Sequence, residues 1–518
     1  MKQRTNTNFF LVALHILLHC LLPPTTIAFT RTSTSTMSLS PSVASDKQRV
    51  VLIGGGHAHA QVIKALNHRS RPSNMEVTLI DMQKSASYSG MVPGAISKLY
   101  SPEDTLLHLE PLCEWAGIRF VHDQVVDVDF DRQCIRVKDS NELIPYDVCS
   151  IDIGSGSRGL YETPGAQEFT IPTRPIHELI RRIEVAEDGL EASGAHVVCI
   201  GGGAAGIELS MSMTSRWKPL LGGRLDVTLL DAGSRLLPDE SPECRAALQN
   251  ILDDRKIDVK HNCHVQEITR ENVVLSTGET IPFTHCIWAT GAGSHPLARK
   301  LGDRGLAINP RGWIRVNRNL QSISHPNVFA AGDCSAMEVP GRKAPPKAGV
   351  YAVRAGPVLI ENLTRRLKVM QQASRRHTTF VRGPKLVDYE PQDDFLKLLV
   401  CGDGRALGFR FGVPLHGKWV MHLKDHIDQM FMNLFRAEHL PDLSGKEGEY
   451  DLSQYDAYKD EMECCRLPAS KAAELLRRQD DDVDYMEAWG VLRDMTNNEQ
   501  YRIDVLMHMG VATPVMAQ

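Results

Sequence analysis

The stretch Val50-Val51-Leu52-Ile53-Gly54-Gly55-Gly56-His57-Ala58-His59-Ala60-Gln61-Val62-Ile63-Lys64-Ala65-Leu66 reads as an apolar strand, a glycine turn and the start of a helix. This is the pattern of a dinucleotide cradle. Gly54 has no Cβ and can make the tight turn, Gly56 lets the backbone approach a pyrophosphate, and the free N–H groups of the helix face the phosphate charge. The next strand, Val77-Thr78-Leu79-Ile80-Asp81, supplies at Asp81 the acid that holds a ribose. His59 stands where the fingerprint has its third glycine and is expected to pack at the helix–strand crossing. His57, at the turn itself, is open to two readings, approach to the pyrophosphate or a solvated ring.

A second copy follows in Val197-Val198-Cys199-Ile200-Gly201-Gly202-Gly203-Ala204-Ala205-Gly206-Ile207-Glu208, now with all three glycines, and Asp231 ends its next strand. Two cradles in one chain imply two dinucleotides, and the simplest chemistry uniting them is hydride transfer from a nicotinamide to a flavin. Three further breaks sit where apolar strands meet glycine: Gly154, Gly291 and Gly332-Asp333. Tyr88-Ser89-Gly90-Met91-Val92-Pro93-Gly94 lies where such a chain turns toward the flavin ring. Between Asp81 and Trp115 only Cys113 occurs, which argues against a dithiol relay. Pro345-Pro346-Lys347 opens a helix whose positive end is suited to a reduced, anionic ring.

Length and composition bound the rest. The chain has 518 residues, 42% hydrophobic and 23% charged, enough for several cores. A net charge of −5 gives no reason to expect nucleic acid, and 12 cysteines without a C-x-x-C pair indicate neither zinc nor a disulfide scaffold. His422 and His426 are spaced as i, i+4 ligands, but no third ligand accompanies them, so no metal is expected. Residues 1–47 read as a leader: a short apolar run from Phe9 to Leu22, then a hydroxyl-rich segment without acids before Asp46. Its two-part form resembles the leaders of complex plastids; the secretory pathway and the mitochondrion are the other destinations.

The order of first cradle, Ser-Gly-Met-x-Pro-Gly segment, second cradle, Ala-Thr-Gly, Ala-Gly-Asp and Pro-Pro-Lys helix resembles the two-dinucleotide-binding flavoproteins of the pyridine nucleotide oxidoreductase type, and most closely the type II NADH dehydrogenase-like group. The Gly-Gly-Gly-His-x-His start, Lys347 to Arg354 and Phe395-Leu396-Lys397-Leu398-Leu399 look like the subgroup found fused ahead of selenide, water dikinase. The resemblance implies an α/β fold of two Rossmann-like domains: an FAD domain in two pieces (48–165 and 291–365), an inserted NAD(P)H domain (166–290), and a smaller C-terminal α+β region (376–436). A polar helical tail (437–518) follows, with helices expected at Ser470–Gln479 and Val483–Met495 and an appended or capping role.

The resemblance further places FAD on Gly54, Gly56 and Asp81 with Asp333 on its ribityl chain. It places NAD(P)H on Gly201, Gly203, Gly206 and Glu208, with Asp231 on its ribose. His57, Pro93, Gly154, Gly291 and Gly332 complete the expected cofactor-binding set, and Glu208 and Lys347 are the candidate catalytic residues. A carboxylate at Asp231 about 4 Å from a 2′-phosphate would cost ~1 to ~4 kcal/mol, which favours NADH. A solvated carboxylate is the competing reading of Glu208. The expected acceptor is a quinone beside Pro93 and the Lys347 helix, although that helix lacks the glutamine carried by quinone-reducing relatives. A non-turnover FAD/NADH sensor and an accessory role in selenium metabolism are the alternatives. Residues 417–436 carry an apolar stripe at helical spacing, Val420, Leu423, Ile427, Met430 or Phe431, and Leu434, which either lies on a membrane or packs on its own domain.

Overall fold

In the computed structural model, residues 47–339, 341, 344–376, 385–444 and 467–511 are described. The leader and Cys464-Cys465 lie outside them. The first cradle opens a five-stranded parallel sheet with Gln48–Ile53 at its centre. Met75–Asp81 and then Arg119–His122 flank it on one side, Val148–Ile151 and then Val328–Ala330 on the other. Residues 50–53 and the neighbouring Val148–Ile151 are buried on both faces and do not alternate, whereas the edge strand Arg119–His122 keeps exposed polar ends. Helix α1 (His57–Ala65) crosses from the central strand.

The second cradle repeats the plan. Ala195–Ile200 lies between Leu225–Leu230, followed by Ile257–Lys260, on one side and His285–Trp288, followed by Ile171–Pro172, on the other, all parallel. Helix α2 (Ala204–Leu221) leaves its turn. Each unit also carries a three-stranded antiparallel meander, Val125–Asp129 with Cys134–Val137 and Leu143–Pro145 in the first, Val265–Ile268 with Asn272–Leu275 and Thr280–Pro282 in the second. The protein is therefore an α/β fold with two Rossmann-like cores. The outer strand of the first sheet, Val328–Ala330, arrives only after the second sheet has been completed. Helix α3 (Gly349–Arg376) then lies back on α1, where the Gln61 amide donates to the Val353 carbonyl at 2.8 Å.

The C-terminal region begins with an antiparallel sheet of Lys397–Val400, Ala406–Arg410 and Val413–Gly417, followed by helix α4 (Lys418–Met432). The apolar stripe of α4 is used up inside the molecule. Val420 and Leu423 are fully buried in a core shared with Ala472, Leu476, Val491, Leu492 and Met495 of the tail, while Phe431 and Leu434 join the core of the first unit. Packing on its own domain, rather than lying on lipid, accounts for the helical spacing. Among the described residues no helix is long and apolar enough to cross a membrane.

The tail is more structured than its polar composition suggests. Its helices run Ala469–Arg477, Tyr485–Asn497 and Glu499–His508, the last of them unforeseen. The fully buried Trp419 donates its indole N–H to the Arg478 carbonyl at 2.9 Å. His422 and His426 pack their rings near Tyr485. Among the described residues, no group of three His, Cys, Asp or Glu is placed to hold a metal ion.

Candidate active site

One cavity of about 1100 Å³ runs from the first cradle to the second. Its wall takes in Gly54, Gly56, His57 and Asp81, passes Gly154, Asp333 and Lys347, and reaches Glu208, Ala204 and Leu399. Pro93, Gly291 and Trp489 also line it. It joins the marked residues of the first unit to Glu208 of the second, whereas Gly201, Gly203, Gly206, Asp231 and Gly332 are not on its wall.

At the first turn, a Cβ on Gly54 would stand 2.4 Å from the Asp152 carbonyl oxygen, so only glycine fits, and its φ of +86° adds to that demand. Asp81 turns its carboxylate into the turn, accepting from Gly55 N–H at 2.6 Å and Gln83 N–H at 2.7 Å. His59 is fully buried, with Nδ1 2.5 Å from the Gly54 carbonyl and Nε2 2.8 Å from the Ser150 hydroxyl. It packs at the helix–strand crossing, and burial pushes its pKa down to about 4. His57 is half-buried and packed among aromatic rings. Its ring meets Tyr88 and Phe431 edge-on, at centroid distances of 5.3 and 5.6 Å on the cavity wall.

The second turn keeps the tighter packing. A Cβ on Gly206 would lie 1.8 Å from the Gly201 carbonyl oxygen. Asp231 accepts from Gly233 N–H at 3.1 Å and stands 3.3 Å from His261 Nδ1. Gly203 faces open space, with nothing within 4 Å of the position a Cβ would take.

Between the turns the two units converge. Glu208, half-buried on α2, accepts from Val400 N–H at 2.9 Å, and loss of water pushes its pKa up to about 7 against the opposing pull of Lys424. It is held by the C-terminal sheet, which is not the solvated carboxylate of the competing reading. Lys424, on α4, donates to Asp428 at 2.6 Å and to the Gly90 carbonyl at 2.7 Å. Both partners are about 5% exposed, and burial keeps the Asp428 carboxyl above its ordinary range. Asp428 also faces the Tyr88 phenol, whose pKa is raised by burial and by that carboxylate. Asp333 is held by Ser155 Oγ at 3.1 Å and Arg174 at 3.3 Å. Lys347 donates to the Ser335 carbonyl and lies 4.4 Å over the Trp313 ring, so its ammonium is turned against the protein.

Sequence reading placed Tyr88 in the segment that turns toward the flavin ring and missed Asp152, Lys424, Asp428 and Trp489. Asp152 carried a signal, a carboxylate inside Cys149-Ser150-Ile151-Asp152-Ile153. The others did not, because their place on the wall depends on how the C-terminal region folds back. Cys149, Cys199 and Cys334 are fully buried, as apolar packing residues, and no cysteine lines the cavity among the described residues.

Two parallel-sheet units of the same plan, with one cavity reaching from the first turn to the helix that leaves the second, suit an oxidoreductase that pairs a flavin with a nicotinamide. A family model described as pyridine nucleotide-disulphide oxidoreductase matches residues 48–373. The chain belongs to that family, and it is an enzyme binding FAD and NAD(P)H. It is 23% identical over 415 residues to the type II NADH:quinone oxidoreductase of Staphylococcus aureus, covering 74% of this chain and 95% of that one. Among solved structures, NDH2 of Plasmodium falciparum in complex with NADH superposes with a TM-score of 0.60 at 13% identity, covering 76% and 99% of the two chains. The sulfide:quinone oxidoreductase of Aquifex aeolicus gives 0.59 at 18% identity, covering 75% and 91%.

The residues present fit FAD: the turn admits no Cβ at Gly54, and carboxylates stand at Asp81 and Asp333 along the cavity wall. The match to a type II NADH:quinone oxidoreductase favours NADH as the nicotinamide.

Proposed function

We propose that this chain is an NADH:quinone oxidoreductase that uses FAD and no redox-active disulfide. The observation that carries the reading is the junction where α2, α4 and the C-terminal sheet meet, which puts Glu208, Lys424, Asp428 and Tyr88 on or beside the wall of the cavity shared by both cradles. FAD, when bound, accepts a hydride from the nicotinamide and passes the electrons on. Reduction of a quinone to a quinol by NADH also consumes one proton from solution, and groups on the cavity wall are suited to hold it. Glu208, with a pKa near 7, exchanges a proton at neutral pH. The Lys424–Asp428 pair fixes α4 against the Gly90 carbonyl and keeps a positive charge near Glu208. Leu399, Phe409, Ile427 and Phe431 supply an apolar lining for a quinone ring and for exclusion of water.

The type II NADH:quinone oxidoreductase named above supports this reading at low identity. The test is anaerobic mixing of the purified protein with NADH, followed by a soluble quinone. Bleaching of the flavin and its recovery on quinone addition is the expected result. Bleaching that no quinone reverses would remove the acceptor, and an unbleached flavin would leave a sensor in place of an enzyme.

A further inference from the structure

One difference between the two cradles lies just past the strand beside each turn. The strand beside the first turn is followed by Asp152, and the matching strand beside the second by Ala289; these two residues present the carbonyl oxygens that crowd Gly54 and Gly201. Asp152 is 3% exposed. Its Oδ2 accepts from Ala58 N–H at 3.0 Å and His59 N–H at 3.4 Å, the free N–H groups at the start of α1. Its carboxyl also fills the space beside two glycines, since a Cβ would come within 2.2 Å of it on Gly56 and 2.4 Å on Gly332. The chain therefore sets its own carboxyl at the helix end where a pyrophosphate is held.

We propose that Asp152 couples retention of FAD to uptake of a proton, with the flavin held tightly only while this carboxyl is neutral. A pyrophosphate and an ionised carboxylate at the same helix end repel each other, and the helix N-terminus offers about half a positive charge to share between them. With Oδ2 accepting from α1, Oδ1 is the oxygen left to carry the proton. The surrounding charges point the same way. Burial above all, with smaller contributions from the charges of Asp333 and Asp81, raises the Asp152 pKa to about 7 against the two N–H donors. On α1, His57 and His59 are held near pKa 4 by burial and stay neutral above that. Arg174 is paired with Asp333, and Lys347 with the Ser335 carbonyl. Cys334, with Sγ against the Ile151 carbonyl, has its thiol pushed up to about 12.

The inference rests on FAD occupying the first cradle. The experiment measures the FAD dissociation constant of the deflavinated full chain by flavin fluorescence between about pH 6 and 9, for the wild type and Asp152→Asn. Calorimetry in two buffers of different ionisation enthalpy, near pH 8, counts the protons taken up. The wild type is expected to weaken about tenfold per pH unit above about pH 7 and to take up about one proton. Asp152→Asn is expected to bind FAD with a flat profile. A wild-type constant independent of pH with no proton uptake overturns the proposal, as does a pH slope that survives in Asp152→Asn. Should that variant not fold, the wild-type proton count decides alone. Failure to bind FAD at any pH would overturn the flavoprotein reading itself, and this inference with it.

Discussion

The two cradles share one backbone plan and differ in the side chains set on it, and the difference separates what a dinucleotide turn needs from what a redox site adds. Where the second has Gly206, the first has His59; where the second has Ala289, the first has Asp152. Gln61 and Glu208 occupy the matching helical position. Gln61 ties α1 to α3 through the Val353 carbonyl, whereas Glu208 faces the cavity and the C-terminal sheet. At the strand ends, Asp81 turns inward to Gly55 N–H, and Asp231 is shared between Gly233 N–H and His261. The first cradle is filled with its own polar partners, while Gly203 of the second faces open space. A cofactor that stays bound and a substrate that comes and goes are expected to leave this contrast.

Exchanging the crossing residues should produce the largest effect. Gly206→His forces a Cβ onto the Gly201 carbonyl, where the available distance is 1.8 Å, and is expected to cost about 3 kcal/mol or more and to abolish NADH binding. The reciprocal His59→Gly leaves the Ser150 hydroxyl without its partner and opens a void, for about 2 to 4 kcal/mol in chemical denaturation. The sign of its pH dependence follows from a depressed histidine pKa. Below the ordinary 6.5 the unfolded chain takes up a proton that the folded His59 refuses down to about 4, so stability is lost as pH falls through that window. The wild type should lose about 3 kcal/mol there on account of His59, and His59→Gly should be flatter by that amount.

Replacing the cavity-facing acid asks whether α2 does more than bind. Glu208→Gln should lower quinone turnover about 100-fold while NADH still bleaches the flavin, and should remove the fall in rate expected above about pH 7, where Glu208 loses its proton. Equal loss in flavin reduction would instead make Glu208 a nicotinamide-positioning residue. The smallest effect belongs to the strand end. Asp231→Asn should move the NADPH-to-NADH preference about tenfold toward NADPH, read as a ratio of kcat/KM values.

Much of this architecture was legible because its elements are local. Apolar runs ending in glycine identify both turns, and Asp81 and Asp231 follow from strand lengths. His59 was readable as a packing residue because its position in the fingerprint is a helix–strand crossing. The C-terminal region was harder. The stripe on α4 has the same spacing whether lipid or protein covers it, and only the burial of Val420 and Leu423 against the tail separates the two. Trp489 lies in a polar stretch more than 150 residues beyond Asp333, and nothing local connects it to the cavity.

By itself the sequence determined two dinucleotide turns, the acid at the end of each following strand, and the lack of a cysteine pair near the flavin segment. These depend on steric limits and periodicities that span a few residues. Only the tertiary structure decided that Asp152 caps α1, that Glu208 accepts from Val400 within reach of the Lys424 charge, and that the tail closes over α4. Each of those contacts joins segments separated by tens to hundreds of positions, so burial and charge become definite there only after the chain has packed.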